Sequence, residues 1–194
     1  KQRKVSDQLG DTSSVYYDEA GRQVKTFNDG GTWQEFVYQT GVAAALVGDN
    51  DQDFYGYAEK TTAINEVGVR TVQYFDAFGR LRREIADEAF LKLTTKYEYD
   101  ILGRLATVVN PKGDTTRYWY DEYSRIRYKY QPDMGYYSYS YDKAGNVRFT
   151  QTAEQAGNGQ LTFTQYDDLN RVTLIGEADL DDSGVGGGGE DPPH

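Results

Sequence analysis

The sequence predicts an all-β protein built as a tandem array of β-hairpins, and three observations lead there. A short signature, aromatic-Asp-x-x-Gly-Arg, recurs six times along the 194 residues. Ahead of it, aromatic and polar residues alternate, which is the two-residue period of a strand. The composition supplies 18 Tyr, 8 Phe and 2 Trp. Leu, Ile, Val and Phe together number only 38, and with a net charge of −10 such a count would ordinarily suggest disorder. Tyrosine changes that reading, because its ring can be buried while its hydroxyl keeps a polar partner. The implied core is tyrosine laid on strands rather than leucine packed between helices.

Taken in chain order, the signatures begin with Tyr17-Asp18-Glu19-Ala20-Gly21-Arg22 and resume at Phe75-Asp76-Ala77-Phe78-Gly79-Arg80. Tyr99-Asp100-Ile101-Leu102-Gly103-Arg104 and Tyr120-Asp121-Glu122-Tyr123-Ser124-Arg125 follow. The last two are Tyr141-Asp142-Lys143-Ala144-Gly145-Asn146 and Tyr166-Asp167-Asp168-Leu169-Asn170-Arg171. From residue 75 onward the aromatic positions are 24, 21, 21 and 25 residues apart, a repeat period. Tyr97 and Tyr99, Tyr118 and Tyr120, and Tyr137, Tyr139 and Tyr141 fall on one face of their respective strands.

Each signature reads as a hairpin tip. The Asp can accept hydrogen bonds from backbone N–H groups two or three places on, starting a turn. The Gly four places after the aromatic suits a positive φ, as at the end of a type I turn with a G1 bulge. A 21-residue unit less its turns leaves about seven residues per strand, ~24 Å of reach. Asn170 in place of Gly is tolerated in the left-handed region, whereas Ser124 carries an expected cost of roughly 1 kcal/mol. The Arg is expected to stack on a neighbouring Tyr or pair with a neighbouring Asp; the unit with Asn146 should lack that function. Between residues 30 and 70 the period degenerates, with room for two weak units around Tyr38 and Tyr57 and an insertion near residues 41–53. In all, seven or eight hairpins are expected over residues 1–175, with 176–194 as a Gly/Asp-rich flexible tail or long inter-repeat loop.

This tandem signature resembles that of the YD-repeat, or RHS-repeat, family. The resemblance implies a long strip of hairpins spiralling into a hollow shell. In bacterial members, insecticidal toxin complexes among them, such a shell holds a C-terminal toxic domain; in animal teneurins it belongs to cell-surface adhesion proteins. It further implies that this chain is a section of a longer polypeptide, secreted or at a bacterial cell surface. Its partners would then be the rest of that polypeptide and an enclosed effector or a delivery apparatus. The self-cleaving segment that often ends the repeat region in bacterial members has no counterpart here; Asp191-Pro192 lacks the surrounding pattern.

Other chemistry finds little footing. With no Cys, thiol catalysis and cysteine-bound zinc are excluded, and with a single His, at position 194, a serine–histidine hydrolase is hard to build. Aspartates that recur once per unit are what turns require, so no enzyme and no organic cofactor are expected. A net charge of −10 argues against binding nucleic acid phosphates, and no apolar run is long enough to span a membrane. Asp179, Asp181, Ser183 and Glu190 fall where an EF-hand loop places calcium ligands, but no helical pattern flanks them and four consecutive glycines make ordering costly. A solvated acidic loop is the plainer reading, with a calcium site as the alternative. Rows of Tyr with Trp33 and Trp119 are read as packing between rungs; exposed rows would instead bind carbohydrate or a partner protein.

Overall fold

The computed structural model describes residues 2–6, 12–28, 31–40 and 57–180. It is all-β and antiparallel, and the chain divides into two units, residues 1–97 and 98–194.

In the first unit the strands are β1 (Gln2–Ser6), β2 (Thr12–Tyr17), β3 (Gln23–Asn28), β4 (Trp33–Thr40), β5 (Glu59–Asn65), β6 (Arg70–Phe75), β7 (Leu81–Ala86) and most of β8 (Leu93–Tyr99), whose last two residues are counted in the second. Each pairs with its neighbours in sequence, so strand order equals chain order. Such a meander forms when turns are short and every strand has a face that suits its neighbour. β4 and β5 are one hairpin in register from Gln34↔Asn65 to Thr40↔Glu59. Tyr38 and Tyr57 therefore belong to a single unit and not to two. The segment between them departs from the signature at the point where a tip belongs, and residues 41–56, which hold the expected insertion, lie outside the described residues.

The buried core of this unit sits on one face of β6 and β7. Val72 and Tyr74 are fully buried, and Ile85, Tyr57 and Arg83 nearly so. The register Val72↔Ile85 and Tyr74↔Arg83 puts the four strand residues on the same side of the sheet. The Tyr57 ring lies on that of Tyr74, centroids 4.7 Å apart. Tyrosine is thus a core residue here, as the composition suggests.

In the second unit, β9 (Leu105–Val109), β10 (Thr115–Tyr120), β11 (Ile126–Gln131), β12 (Gly135–Tyr141), β13 (Val147–Gln151), β14 (Gln160–Tyr166) and β15 (Val172–Asp179) again pair in chain order. No described residue of this unit is buried. Most of its strand aromatics are half-buried, because the strands form one layer and a ring on one layer keeps a face toward solvent; Tyr123, in a tip, is exposed. Trp119, opposite Tyr128, and the pair Tyr130↔Tyr136 share a face; Trp119 and Tyr136 rings are 6.0 Å apart and Tyr130 and Tyr136 4.9 Å. Phe163 stands opposite Gly176, where an added Cβ would come within 2.8 Å of its ring.

A five-residue helix, α1 (Ala153–Gly157), replaces the turn between β13 and β14. Thr152 caps it: its side chain accepts from the Gln155 N–H at 3.2 Å while Gln155 Oε1 accepts from the Thr152 N–H at 3.0 Å. β15 runs to Asp179, so ordered strand extends past the expected boundary at 175. Residues 181–194 lie outside the described residues. No helix among the described residues is long and apolar enough to cross a membrane.

Candidate functional site

The recurring element is the hairpin tip, and all six signatures adopt one geometry. The Asp N–H donates to the carbonyl four residues on, for example Asp76 to Arg80 at 3.0 Å and Asp121 to Arg125 at 2.9 Å. The residue three after the Asp donates back to the Asp carbonyl, as Gly103 does to Asp100 at 2.9 Å. That residue has φ of 81° at Gly21, 74° at Gly79, 81° at Gly103 and 89° at Gly145. Ser124 and Asn170 hold the same conformation at 62° and 58°. A register shift sits at the signature aromatic, between Tyr74 and Phe75 and between Trp119 and Tyr120 for instance. This is the type I turn with G1 bulge that the spacing predicts.

The aspartate side chain holds the turn closed. Asp100 Oδ1 accepts from the Leu102 and Arg104 N–H groups, each at 2.9 Å, and Asp121 Oδ1 accepts from Tyr123 and Arg125 at 2.9 Å. The donors are thus two and four places on, where two or three was expected; the bulge residue's N–H goes to the Asp carbonyl instead. Oδ2 takes the guanidinium: Nε of Arg22, Arg80, Arg104, Arg125 and Arg171 lies 2.6–2.8 Å from its own Asp.

These contacts fix the ionisation of the acids. At Asp76, Asp100 and Asp121 burial is the largest single influence and pushes upward, but the Arg N–H, the guanidinium and the second N–H together hold the carboxyl below its usual value. At Asp18 and Asp167 the Arg N–H dominates the lowering. At Asp142 the Asn146 side-chain amide does. A carboxylate with both oxygens hydrogen-bonded inside its own turn, as at Asp100, is held as a structural anion.

Arginine makes both contacts anticipated for it. Besides its own Asp, it lies over the tyrosine of the following hairpin: Arg22 over Tyr38 at 4.6 Å, Arg104 over Tyr120 at 4.6 Å and Arg125 over Tyr141 at 4.4 Å. The hydroxyl of the same tyrosine donates to the carbonyl of the residue after that arginine. Tyr38 reaches Gln23, Tyr120 reaches Leu105 and Tyr141 reaches Ile126, all at 2.7 Å; Tyr166 makes the same bond at 2.9 Å to Val147, the residue after Asn146, which stands in the arginine position. Signature residues of consecutive hairpins thus form one linked site. Burial raises the pKa of Tyr38, Tyr120 and Tyr141, keeping these hydroxyls protonated as donors.

Asn146 retains part of the role assigned to arginine. Its amide nitrogen donates to Asp142 Oδ2 at 3.1 Å and to Asn170 Oδ1 of the next tip at 2.8 Å, so the tip-to-tip link survives without a cation.

A second set of turns, at the opposite ends of the strands, has the same design with Asn in place of Asp. Asn65 Oδ1 accepts from Val67 and Val69, and Asn110 Oδ1 from Lys112 and Asp114. Gly31, Gly68 and Gly113 close these turns at φ of 80°, 83° and 91°. The signal was present in the sequence as Asn-x-x-Gly at Asn28, Asn65 and Asn110, out of phase with the Asp signature.

The two tryptophans are half-buried and engaged. Lys25 Nζ lies 4.4 Å from the Trp33 ring, and Trp119 packs on Tyr136. Of the calcium candidates, Asp179 ends β15 and accepts from Gln160 Nε2 at 3.1 Å; Asp181, Ser183 and Glu190 lie outside the described residues. Among the described residues no cluster of three His, Cys, Asp or Glu side chains could hold a metal.

No protein-family model and no curated protein matches the chain. Solved structures do. The chain superposes on a Photorhabdus luminescens Tc holotoxin pore with a TM-score of 0.61 at 18% identity, over 88% of its own length. It superposes on a TcdB2-TccC3 crystal structure lacking the hypervariable C-terminal region with a TM-score of 0.60 at 18% identity, over 91%. It spans 9% of the length of each of those chains. The chain therefore shares its fold with components of Tc toxins.

Proposed function

We propose that this chain is a section of wall in an RHS/YD-repeat protein, exported from a bacterium, whose β-shell encloses or displays a C-terminal effector domain. The observation that carries the reading is the linked tip. Tyr, Asp, Gly and Arg of the signatures are engaged in closing each tip and joining it to the next hairpin, which is what a wall requires. The shared fold with Tc toxin chains supports it. The single-layer second unit, with no buried residue described, suits a sheet that separates two compartments better than a free-standing globule. An adhesive role through exposed Trp33 and Trp119 has less support, because both rings already have partners.

The test is protease protection in the full polypeptide. The C-terminal domain should resist a protease dose that digests the same domain expressed alone. Equal digestion in the two settings would overturn the enclosing role.

A further inference from the structure

Tyr130 and Tyr136 stand directly opposite each other on β11 and β12, with ring centroids 4.9 Å apart and planes at 51°. Trp119, on the same face, comes within 6.0 Å of Tyr136, so that ring is held among neighbours. Tyr136 is 36% exposed and Tyr130 half-buried. Tyr137, next along β12, faces the other way and donates its hydroxyl to Met134 Sδ at 3.3 Å. The links between tips use Tyr120, Tyr141 and Tyr166 and leave Tyr130 and Tyr136 out. The close pair of the first unit, Tyr57 and Tyr74, has its centroids 4.7 Å apart. At 5% and 1% exposed, that pair is core and lies out of reach of a reagent in solution.

Two phenols in contact at a wet surface are placed for oxidative coupling. A one-electron oxidant removes an electron from each ring, and each phenol gives its proton to water. The two tyrosyl radicals join through a C–C bond between ring carbons ortho to the hydroxyls. The hydrogens on those carbons transfer to the oxygens and both rings are restored. With hydrogen peroxide as the oxidant, turned over by a haem peroxidase, one peroxide takes up the two electrons and two protons and leaves as two waters. We propose that Tyr130 and Tyr136 are such a cross-linking site, converted by peroxide-driven oxidation to a dityrosine staple across the β11–β12 hairpin. The cross-strand register supplies the geometry of coupling in advance, which makes it an intramolecular step with no rearrangement of the strands. The chain has no Cys, so no disulfide can tie neighbouring strands. The second unit, in which no described residue is buried, is where a covalent tie adds most, because a closed loop constrains the unfolded chain. The staple is independent of the enclosing role, since it concerns two strands and not what lies behind them.

The chain's one Met, Met134, lies between the two tyrosines and makes the test direct. Cyanogen bromide cuts there and separates residues 1–134 from 135–194 unless a link outside the backbone joins them. The chain is treated with a haem peroxidase and hydrogen peroxide at low protein concentration, any methionine sulfoxide is reduced, and cleavage follows. Before cleavage the wild type should gain dityrosine fluorescence and lose the mass of two hydrogens; after it, the two pieces should run as one. Tyr130→Phe and Tyr136→Phe keep the packed ring and lose the reacting hydroxyl, so each should fall into two pieces. Separated pieces from the wild type overturn the proposal. So does a joined product that persists in either variant, which would assign the coupling to other tyrosines. The treatment should also raise the urea midpoint of the wild type and leave that of Tyr136→Phe where it was; an equal response in the two would overturn the stabilising role.

Discussion

Ser124 is the residue at which the tip design is under most strain. Its φ of 62° places a Cβ where glycine sits in four of the other tips, at an expected cost of roughly 1 kcal/mol. Ser124→Gly should therefore stabilise the protein by about 0.5–1 kcal/mol, the unfolded-state entropy of glycine offsetting part of the gain, as read from urea midpoints. The converse holds at Gly145, where φ is 89° and a Cβ would meet no atom. Conformation alone decides there: Gly145→Ala should cost about 1 kcal/mol and Gly145→Asn clearly less. At Asp121, Asn should substitute well, because Asn65 and Asn110 make the same pair of Oδ1 contacts in the opposite turns. Asp121→Asn should cost about 0.5 kcal/mol, the value of a partly exposed ion pair, and Asp121→Ala about 1–2 kcal/mol, because two backbone donors lose their acceptor. This scale was the most legible in the sequence. A residue that must take positive φ is confined to Gly, Asn and a few others, so the turn type could be read from Gly79 or Asn170 alone. The partner of Oδ1 could not be fixed to within one residue, because Asp18 has several N–H groups within reach and only the bulge geometry selects among them.

Between elements, the latch is the tyrosine hydroxyl reaching back one hairpin. Tyr120→Phe keeps the ring under Arg104 and removes only the bond to the Leu105 carbonyl. It should lower stability by about 1 kcal/mol, and Tyr141→Phe by a similar amount. The two latches share no partner, so the double variant should come close to the sum, within about 0.5 kcal/mol. Chemical denaturation of the four proteins checks this. The period announced that consecutive signatures would be neighbours, but it could not show that Arg104 serves Asp100 and Tyr120 at once. That contact depends on the bulge at Tyr120 turning the ring toward the previous tip. The sequence suggests two units where β4 and β5 pair as one, because no aromatic-Asp-x-x-Gly signature follows Tyr38 and the aromatic spacing then loses its anchor. The helix α1 was missed although Thr152-x-x-Gln155 is a capping-box pattern, since five residues between two strands give no helical period to detect.

Across the molecule, stability is distributed unevenly. Every buried side chain described lies in the first unit, around Val72, Tyr74 and Ile85, whereas the second unit relies on backbone pairing and half-buried rings. Hydrogen exchange should accordingly protect β6 and β7 most and residues 105–180 less; equal protection would mean that something else covers the second unit's sheet. The same distribution makes the molecule sensitive to pH. The six signature aspartates all have carboxyls held below the usual aspartate value of 3.8. A depressed folded-state pKa means that the unfolded chain binds protons first as pH falls. The contribution is thus complete above about pH 5 and is lost below about pH 4, as the acids titrate toward their folded-state values. Because the acids repeat once per hairpin, the losses accumulate in one narrow range, and the urea midpoint should fall steeply there. At the alkaline end, Tyr38, Tyr120, Tyr139 and Tyr141 carry raised values through burial. Their contribution is intact below the usual tyrosine value of 10.0 and is lost as pH climbs through the higher folded-state values. Urea midpoints should therefore be flat near neutrality and drop at both ends. The acid limb belongs to the tips, and this is checked by Asp121→Asn, which removes one titrating group while keeping the turn. Its acid slope should be shallower than the wild type's, and an unchanged slope would assign the acid loss to carboxylates elsewhere in the chain.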